Sequence, residues 1–316
     1  MKLSVIIVVF NAFDLTKKCI KSIYREKLKK LEVIIIDNAS KEKGFEVIPQ
    51  EFPLIKIIRN KENLGFSKAI NQGLRFVSGE YILILNPDTE ILPGTLSYLL
   101  EYMKKHKKIG LLSCRIFTPS YELLQSAYKE FPNLLSHLLE YNYILYKLLN
   151  FFSKEYHPIH YPLKDHFKKI SPKHIMGVFI LTRRSTIADV GFFDERFFLY
   201  REETDFCKRL ISKNWKIQYL PNAEGVIHYG GESSKVKITQ SSPYYLQSTY
   251  VFFKKYHSQI YVILAWFLGA TSSSTSLIFI YIMSLLKKKK NFLLINSWSQ
   301  IVTWHFTDGL KIVTKR

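Results

Sequence analysis

Residues 81–91 read YILILNPDTEI, an apolar run of five residues that stops at an Asn-Pro-Asp turn. Such a run predicts a strand buried on both faces, as in parallel sheets. Four further strands are predicted in the first 115 residues, at Leu3–Phe10, Val33–Ile36, Ile55–Ile58 and Ile109–Ser113. Helical patterns open between them, one at Ser67 and two with Asp14 and Thr95 as their predicted N-caps. This alternation favours right-handed crossovers and an α/β fold with a mainly parallel central sheet.

Polar residues follow the ends of three predicted strands: Asn11, Asp37 and Asp88. Ligands of parallel sheets bind beyond the carboxyl ends of the strands, so we expect the chemistry at this edge. Asp88 could bind Mg²⁺ or Mn²⁺ with open positions left for phosphate oxygens, or it could serve only the turn. Asp37 could contact a base or a ribose, or form an Asx-turn.

Two other motifs could contact an anionic ligand. Asn63, Gly65 and Ser67 lead into a predicted helix N-terminus, where backbone N–H groups can receive a diphosphate or a sugar hydroxyl. Plain helix capping with a tight turn at Gly65 is the alternative. His228 ends an apolar stretch and precedes a Gly-Gly pair, so it could reach a metal or a phosphate, or it could simply be hydrogen-bonded within the fold.

Residues 192–210, FFDERFFLYREETDFCKRL, place several acids among aromatic side chains, and the candidates are Glu195, Glu202, Glu203 and Asp205. A carboxylate beside apolar rings is a candidate general base. The helix predicted from about Thr204 to Lys213 offers the alternative that Asp205 or Thr204 is its N-cap.

The composition narrows the class of protein. The chain has 316 residues with a net charge of +20, from 46 Lys and Arg against 26 Asp and Glu, which favours an anionic partner. A hydrophobic fraction of 47% excludes wholesale disorder. Three cysteines without a C-x-x-C pair favour a reducing compartment. No helix-turn-helix, RNP or zinc-finger pattern is present, so nucleic acid is not predicted as a partner.

The C-terminal part differs in kind. Ser258–Leu286 contains 29 residues without a formal charge, and Lys287–Lys290 and a second apolar segment, Phe292–Leu310, follow. This pattern predicts contact with an anionic membrane surface. Because the polar stretch Thr271–Ser276 interrupts the apolar run, the pattern fits two short interfacial or re-entrant helices as well as it fits one membrane-spanning helix. A buried helical hairpin is the alternative. We predict a catalytic domain at 1–240 and a basic, apolar helical region at 241–316.

The order of these motifs resembles glycosyltransferase family 2, and more narrowly its rhamnosyltransferase-like members that build bacterial surface polysaccharides. The resemblance covers residues 3 to about 235 and rests on V-F-N, D-N-A-S, N-x-G-F, L-N-P-D, the 193–210 acidic motif and H-Y-G-G-x-S-S. It implies the GT-A fold and sugar transfer from a nucleotide-diphosphate donor with inversion at the anomeric carbon. Asn11 and Asp37 would line the nucleoside pocket, and Asn63 and Gly65 would lie beside the donor ribose and diphosphate.

The resemblance also implies a metal site and a base. Asp88 matches the second Asp of the family's D-x-D motif, and His228 matches a histidine that often contacts the metal or the diphosphate. Glu203 matches the catalytic base and Glu202 its partner. Three positions depart from the family pattern: Asn86 replaces the first Asp of D-x-D, Glu203 replaces Asp, and Val178 replaces a small Ala. Arg183 or Arg184 could clamp the charge of the leaving group.

These observations predict a metal-dependent, inverting hexosyltransferase that uses Mg²⁺ or Mn²⁺. The donor would be a nucleotide-diphosphate sugar, with rhamnose favoured by the resemblance, and the acceptor a lipid-linked glycan of surface polysaccharide biosynthesis. We expect the chain at the cytoplasmic face of the inner membrane, peripheral or re-entrant. A nucleotide-sugar-binding protein with degenerate catalysis is the alternative.

Overall fold

A computed structural model describes residues 2–42, 44–53, 55–123, 128–152, 167–230, 242–286 and 292–314. The strands of these residues are β1 (Leu3–Val9), β2 (Leu31–Asp37), β3 (Ile55–Arg59), β4 (Tyr81–Leu85), β5 (Thr89–Ile91), β6 (Ile109–Cys114), β7 (Ile116–Phe117), β8 (Tyr128–Lys129), β9 (His174–Ile175), β10 (Phe179–Arg183), β11 (Lys216–Leu220) and β12 (Val226–His228). The helices are α1 (Phe13–Arg25), α2 (Ile48–Glu51), α3 (Phe66–Leu74), α4 (Thr95–Lys105), α5 (Leu134–Tyr141), α6 (Tyr143–Phe152), α7 (Arg184–Val190), α8 (Glu202–Ser212), α9 (Pro243–Tyr256), α10 (Gln259–Leu286), α11 (Phe292–Trp304) and α12 (Leu310–Thr314). A π-helical turn, His305–Gly309, joins α11 to α12.

Seven strands form the central sheet in the order β11-β6-β10-β4-β1-β2-β3. β10 is antiparallel to both of its neighbours, and the other pairings are parallel. Every residue of β1, β4, β6 and β10 is buried, which explains why these stretches are almost wholly apolar. The predicted mainly parallel sheet is confirmed, and its carboxyl edge lies where β1, β2 and β4 end.

A small second sheet extends this edge. Its strand order is β5-β12-β7, with β12 antiparallel to β5 and parallel to β7. β5 begins at Thr89, directly after Asp88, and His228 pairs with Thr89 across β12 and β5. The register of two short strands therefore brings Asp88 and His228 together from positions 140 residues apart in the sequence.

Two predicted helix caps are wrong. α1 begins at Phe13 with Ala12 as its N-cap, and Asp14 instead lies in the first turn, where a negative charge suits the helix dipole. Gly94, with φ +85°, precedes α4, and the Thr95 hydroxyl donates to the Gly225 carbonyl oxygen at 3.0 Å. α8 begins at Glu202, before the predicted start at Thr204, so both candidate base residues lie in its first turn.

The chain divides into two compact units. The first comprises Met1–Glu130, Tyr161–Phe198 and Glu202–Lys235 and holds the sheets described above. The second comprises Phe131–His160, Leu199–Arg201 and Val236–Arg316 and is helical in its described residues. The prediction assigned residues 131–160 and 199–201 to the catalytic domain, whereas in the structure they group with the C-terminal helices.

The apolar stretch 134–152 forms two helices rather than one. α5 ends before Asn142, whose side-chain Oδ1 accepts a hydrogen bond from the Leu145 N–H at 2.9 Å. An asparagine in this role starts a new helix, because its oxygen satisfies an N–H group that the first turn leaves free. The break therefore comes from a side chain that competes with the helical hydrogen bonds of its own segment.

The polar stretch of the C-terminal region does not interrupt its helix. α10 runs continuously through Thr271–Ser276, because the hydroxyls bond back to the preceding turn: Thr271 Oγ1 to the Phe267 oxygen and Ser274 Oγ to the Ala270 oxygen, both at 2.7 Å. Within the described ranges, α10 is the one helix whose length and composition would allow it to cross a membrane. Lys287–Lys290, on which the predicted contact with anionic lipid partly rests, lie outside the described residues.

Candidate active site

Asp88 and His228 form a close pair at the carboxyl edge of the sheet. His228 Nε2 lies 3.3 Å from Asp88 Oδ1, and the Tyr229 N–H donates to the Asp88 backbone oxygen at 2.9 Å. Asp88 is 4% exposed, and its buried Oδ1 accepts no hydrogen bond from any residue that the structure describes. A buried carboxylate oxygen without a donor is costly, so this atom is suited to a positively charged ligand.

The Cys19 thiol lies close to this pair but takes no part in its chemistry. Its Sγ is 3.7 Å from the Asn86 backbone oxygen. Burial, and after it the Asp88 charge, raises the pKa of the Cys19 thiol far above its ordinary value. The thiol is therefore protonated at neutral pH, which makes it a poor nucleophile and a poor metal ligand.

The residues present fit a divalent cation with an incomplete set of protein ligands. Carboxylate oxygen suits Mg²⁺ and Mn²⁺, and imidazole nitrogen is an accepted ligand of Mn²⁺. In the described part of the chain, no group of three His, Cys, Asp or Glu side chains could hold a metal ion. A cation held by Asp88 and His228 would thus need further oxygen ligands from a bound molecule such as a diphosphate.

Asp37 and Asn11 meet at the loop that follows β2. Asp37 Oδ1 accepts from the Ser40 N–H at 2.9 Å, and its Oδ2 lies 3.3 Å from Arg59 Nε. Asn11 has φ +52°, and its Oδ1 accepts from the Lys41 N–H at 2.8 Å. The Asp37 side chain thus bonds to the backbone three residues on rather than forming an Asx-turn, and this carboxylate shapes the loop whether or not it also contacts a ligand.

Asn38 is the centre of a hydrogen-bond network that the sequence analysis did not predict. This asparagine is 3% exposed, and its Nδ2 donates to Asn63 Oδ1 at 2.7 Å and to the Gly65 oxygen at 3.3 Å. Its Oδ1 accepts from Asn60 Nδ2 at 3.0 Å and from the Leu64 N–H at 3.1 Å. Asn63 and Gly65 are thereby fixed against the end of β2. The feature of the sequence that could have predicted this network is the cluster of asparagines that follows two neighbouring strands.

Gly65 is required by its surroundings as well as by its backbone. It has φ +81°, and a Cβ there would stand 2.6 Å from the Phe198 backbone oxygen and from its ring. The Phe66 N–H donates to the same Phe198 oxygen at 2.6 Å. The loop before α3 is therefore fastened to the aromatic segment that leads toward Glu202 and Glu203.

The four candidate acids put forward from residues 192–210 separate into two kinds. Glu195 accepts from Asn71 Nδ2 at 3.0 Å, and the fully buried Asp205 accepts from Arg209 Nε at 2.8 Å, so both brace the fold. Glu202 is 5% exposed and Glu203 is half-buried, both in the first turn of α8. The general-base candidates that remain are the two that the sequence analysis put forward.

Glu203 lies beside the start of β10. Its Cγ and Cβ are 3.8 and 3.9 Å from the position a Cβ would take on Gly177. The next residue, Val178, accepts from the Asn86 N–H at 3.1 Å through its backbone oxygen. Glu203 is therefore connected through residues 177, 178 and 86 to the turn that carries Asp88. Val178 itself is 2% exposed and packs in the core, so Gly177 is the residue that faces Glu203.

The suggested role of Arg183 or Arg184 as a charge clamp is wrong. β10 is antiparallel, so its carboxyl end lies at the opposite edge of the sheet, where Arg183 pairs with Tyr81 at the start of β4. Arg183 donates to the backbone oxygens of Met103, His106 and Ile109. Arg184 donates to those of Val77 and Ser78. Both guanidinium groups support the fold on the side away from Asp88.

The sheet order, the single antiparallel strand and the polar groups at the carboxyl edge define a GT-A type fold, and comparison with solved structures agrees. A mannosyltransferase from Pyrobaculum calidifontis, solved with GDP-Man and Mn²⁺, superimposes with a TM-score of 0.58 at 14% identity, over 97% of this chain and 87% of that one. The model of "Glycosyl transferase family 2" matches residues 4–191, more than half of the chain. The chain belongs to this family.

The chain is also similar to two bacterial glycosyltransferases. An N-acetylglucosaminyl-diphospho-decaprenol L-rhamnosyltransferase of Mycobacterium tuberculosis is 25% identical over 244 residues, which cover 72% of this chain and 76% of the relative. A GalNAc(5)-diNAcBac-PP-undecaprenol beta-1,3-glucosyltransferase of Campylobacter jejuni is 36% identical over 104 residues, which cover 32% of this chain and 34% of the relative.

Proposed function

We propose that this chain is an inverting glycosyltransferase that moves a sugar, with rhamnose favoured, from a nucleotide-diphosphate donor to a lipid-linked glycan. The observation that carries the proposal is the Asp88–His228 pair, in which a buried carboxylate oxygen lies 3.3 Å from His228 Nε2 and accepts no hydrogen bond from the described residues. The similarity to the mycobacterial enzyme, over 72% of this chain, supports both rhamnose and a polyprenyl-diphosphate-linked acceptor.

The donor would lie along the carboxyl edge. Asn11 and Asp37 would line the nucleoside end, beside the loop at residues 38–41 to which both are hydrogen-bonded. Asn63 and Gly65 would lie beside the ribose and diphosphate, held in place by Asn38. Asp88 and His228 would hold Mg²⁺ or Mn²⁺, which when bound would offset the charge of the departing diphosphate.

Glu203 would act as the general base, with Glu202 as its buried neighbour. The acceptor hydroxyl oxygen forms a bond to the anomeric carbon while the bond from that carbon to the diphosphate oxygen breaks. The proton of the hydroxyl passes to the Glu203 carboxylate, and the nucleoside diphosphate leaves with the bonding electron pair. A single displacement inverts the anomeric centre, and no covalent enzyme intermediate is required.

A transfer assay with defined donors tests this function. The full chain is incubated with Mn²⁺ or Mg²⁺, a panel of nucleotide sugars including dTDP-rhamnose, and a short-chain polyprenyl-diphosphate GlcNAc acceptor. We expect donor-dependent thermal stabilisation, since ligands that bind the native state raise the melting temperature, and a glycolipid product of inverted configuration. Stabilisation without any product would favour the degenerate binding protein, and absence of both would contradict the proposal.

The helical unit supports an acceptor that is presented by a membrane. α10 buries small and hydroxyl-bearing residues, among them Ala265, Gly269, Ser273 and Ser276. Nine large apolar or aromatic residues of the same helix are exposed; these are Ile260, Ile263, Leu264, Phe267, Ile278, Tyr281, Ile282, Leu285 and Leu286. A helix in water shows the reverse pattern, whereas helices in lipid pack through small residues and expose large apolar ones. We propose that this face contacts the bilayer.

Sequence and packing favour a peripheral or re-entrant arrangement at the cytoplasmic face. α11 returns alongside α10, with Trp266 Nε1 donating to the His305 oxygen at 2.8 Å, so the two helices form a hairpin. The four lysines at 287–290 connect the two helices in the sequence. A hairpin that crossed the membrane would have to carry these charges through it, against the usual preference for cytoplasmic lysines. Anionic headgroups would attract them.

Vesicle sedimentation tests the membrane contact. We expect the full chain to sediment with vesicles that contain anionic phospholipid, and the exchange Phe267→Asp on α10 to release a large fraction of it. The exchange Tyr98→Asp is the matched control, because Tyr98 is an exposed aromatic residue of α4 in the other unit. A wild-type chain that stays soluble at low salt without detergent would contradict this part of the proposal.

A further inference from the structure

The backbone directly before the two candidate base residues has an unusual conformation. Tyr200 has φ +69° and Arg201 has φ +66°, so two consecutive residues other than glycine adopt the left-handed region. L-residues with side chains disfavour this region, and such positions persist only where the surroundings enforce them. Glu202, the first residue of α8, follows Arg201 directly.

Side chains of the helical unit enforce this turn. The Arg201 guanidinium is 4% exposed and donates to Tyr245 Oη at 2.6 Å and to Thr249 Oγ1 at 3.1 Å. Its centre stands 4.6 Å from the Tyr245 ring centroid. One residue of the turn is also held through its backbone, because Ser248 Oγ donates to the Leu199 oxygen at 2.8 Å. Three residues of α9 therefore fix positions 199–201.

The charge of Arg201 is balanced by a buried acid. Glu140 of α5 lies 3.7 Å from Arg201 Nη2, its side chain is 7% exposed, and it accepts a hydrogen bond from the Tyr245 hydroxyl. A buried ion pair is a poor source of stability, since apolar residues of the same volume serve as well or better. What such a pair does provide is a directional constraint, because a guanidinium in a fixed network tolerates one orientation.

We propose that Arg201, Tyr245 and Glu140 are positioning residues that set the start of α8 and thereby the placement of the Glu203 carboxylate for proton transfer. The inference rests on the proposed function, in which Glu203 is the base. None of the three side chains is assigned a contact with substrate. They act through two left-handed residues that immediately precede the acids in the chain.

Two variants and one control test this inference in the full chain. Arg201→Lys keeps the charge but loses the planar fork, and Tyr245→Phe removes one hydroxyl. Arg183→Lys is the matched control, because Arg183 is 5% exposed, is equally rich in hydrogen bonds and lies at the opposite edge of the sheet. For Arg201→Lys we expect kcat to fall about 100-fold, the scale of a displacement of about 1 Å, with donor Kd unchanged within about twofold. Tyr245→Phe should show a smaller loss in the same direction.

Hydrogen exchange provides a readout that needs no transfer activity. Amide exchange at residues 202–204 should accelerate in Arg201→Lys and in Tyr245→Phe but not in Arg183→Lys. The inference is overturned if both kcat and this amide exchange stay at wild-type levels in Tyr245→Phe. This criterion also holds if Arg201→Lys does not fold, because Tyr245→Phe removes only one hydroxyl. A wild-type chain without transferase activity would instead contradict the proposed function, while the exchange pattern would still decide whether the three residues hold the turn.

Discussion

The two edges of the central sheet treat two of their carboxylates, Glu32 and Asp88, in opposite ways. At the start of strand β2, the Glu32 carboxylate accepts hydrogen bonds from Ser4 Oγ, from the Ser78 N–H and Oγ, both at 2.6 Å, and from the Gly79 N–H at 3.2 Å. Burial by itself would raise the pKa of Glu32, but these bonds and the Lys2 charge outweigh it and lower the pKa to about 2.

At the carboxyl edge, a buried carboxylate oxygen of Asp88 accepts no hydrogen bond from the described residues. This oxygen lies 3.3 Å from His228 Nε2. Arg183, at the amino edge, donates instead to three backbone oxygens and to the Tyr81 hydroxyl. Saturated polar groups indicate a role in stability, and a buried polar atom that lacks a donor indicates a place for a ligand.

The largest difference between the edges is expected for two Glu→Gln exchanges. Glu203→Gln removes the proposed base, so transfer should fall about 10²- to 10⁴-fold while donor affinity is retained. Glu32→Gln, at the amino edge, should lower the melting temperature and leave kcat unchanged. Initial rates and donor titrations on both variants measure this. Full transfer activity in Glu203→Gln would assign the base elsewhere.

Asp88→Asn probes the metal at the same edge. The exchange keeps the volume but removes the charge that would hold the cation, so kcat/KM should fall at least about 100-fold, given the several kcal/mol that a metal contributes. Mn²⁺ should no longer tighten donor binding, and EDTA should abolish the same enhancement in the wild type. Titrations of nucleotide with and without Mn²⁺ check this. Equal nucleotide affinity under all conditions would exclude the assigned role of Asp88.

Most of the first unit could be predicted from local sequence. The apolar runs of β1, β2, β4 and β6 have few alternatives, because a fully buried parallel strand requires that composition. The positions of Asp37 and Asp88 followed from the rule for strand ends. Arg183 was misplaced because periodicity identifies a strand but gives no direction for it, and the direction of β10 decides which edge its last residue reaches.

Contacts between distant segments were beyond local reasoning. The pairing of β5 with β12 that brings His228 to Asp88 joins two short strands, and neither has a strong pattern of its own. The attachment of residues 199–201 to α9 through Arg201 leaves no trace in the spacing of the acidic motif. The uninterrupted α10 was obscured because Ser and Thr weaken helices on average, although their hydroxyls can bond to the preceding turn.

Two glycines, one before α3 and one before α4, separate backbone strain from packing. Gly65 and Gly94 have φ +81° and +85°, but a Cβ on Gly94 would meet nothing within 4 Å, whereas on Gly65 it would collide with Phe198. Alanine at either position carries the left-handed penalty of about 1–2 kcal/mol. Gly65→Ala should cost about 1–3 kcal/mol more, roughly 2–12 °C in melting temperature, and should also weaken donor binding. Equal melting temperatures for the two variants would show that Phe198 yields without cost.

The smallest effect concerns the pH dependence of the amino edge. The pKa of Glu32 in the folded chain, about 2, lies below its ordinary value of 4.5. The unfolded chain therefore binds the proton first, so the contribution of Glu32 to stability is complete above pH 4.5 and is lost as the pH falls toward 2. Because the side chain is 23% exposed, we expect about 1–2 kcal/mol, less than the full shift would imply. The melting-temperature gap between wild type and Glu32→Gln should accordingly narrow from pH 6 to pH 3. A gap that stays constant over this range would mean that the hydrogen bonds from Ser4 and Ser78, rather than the charge they surround, hold this edge together.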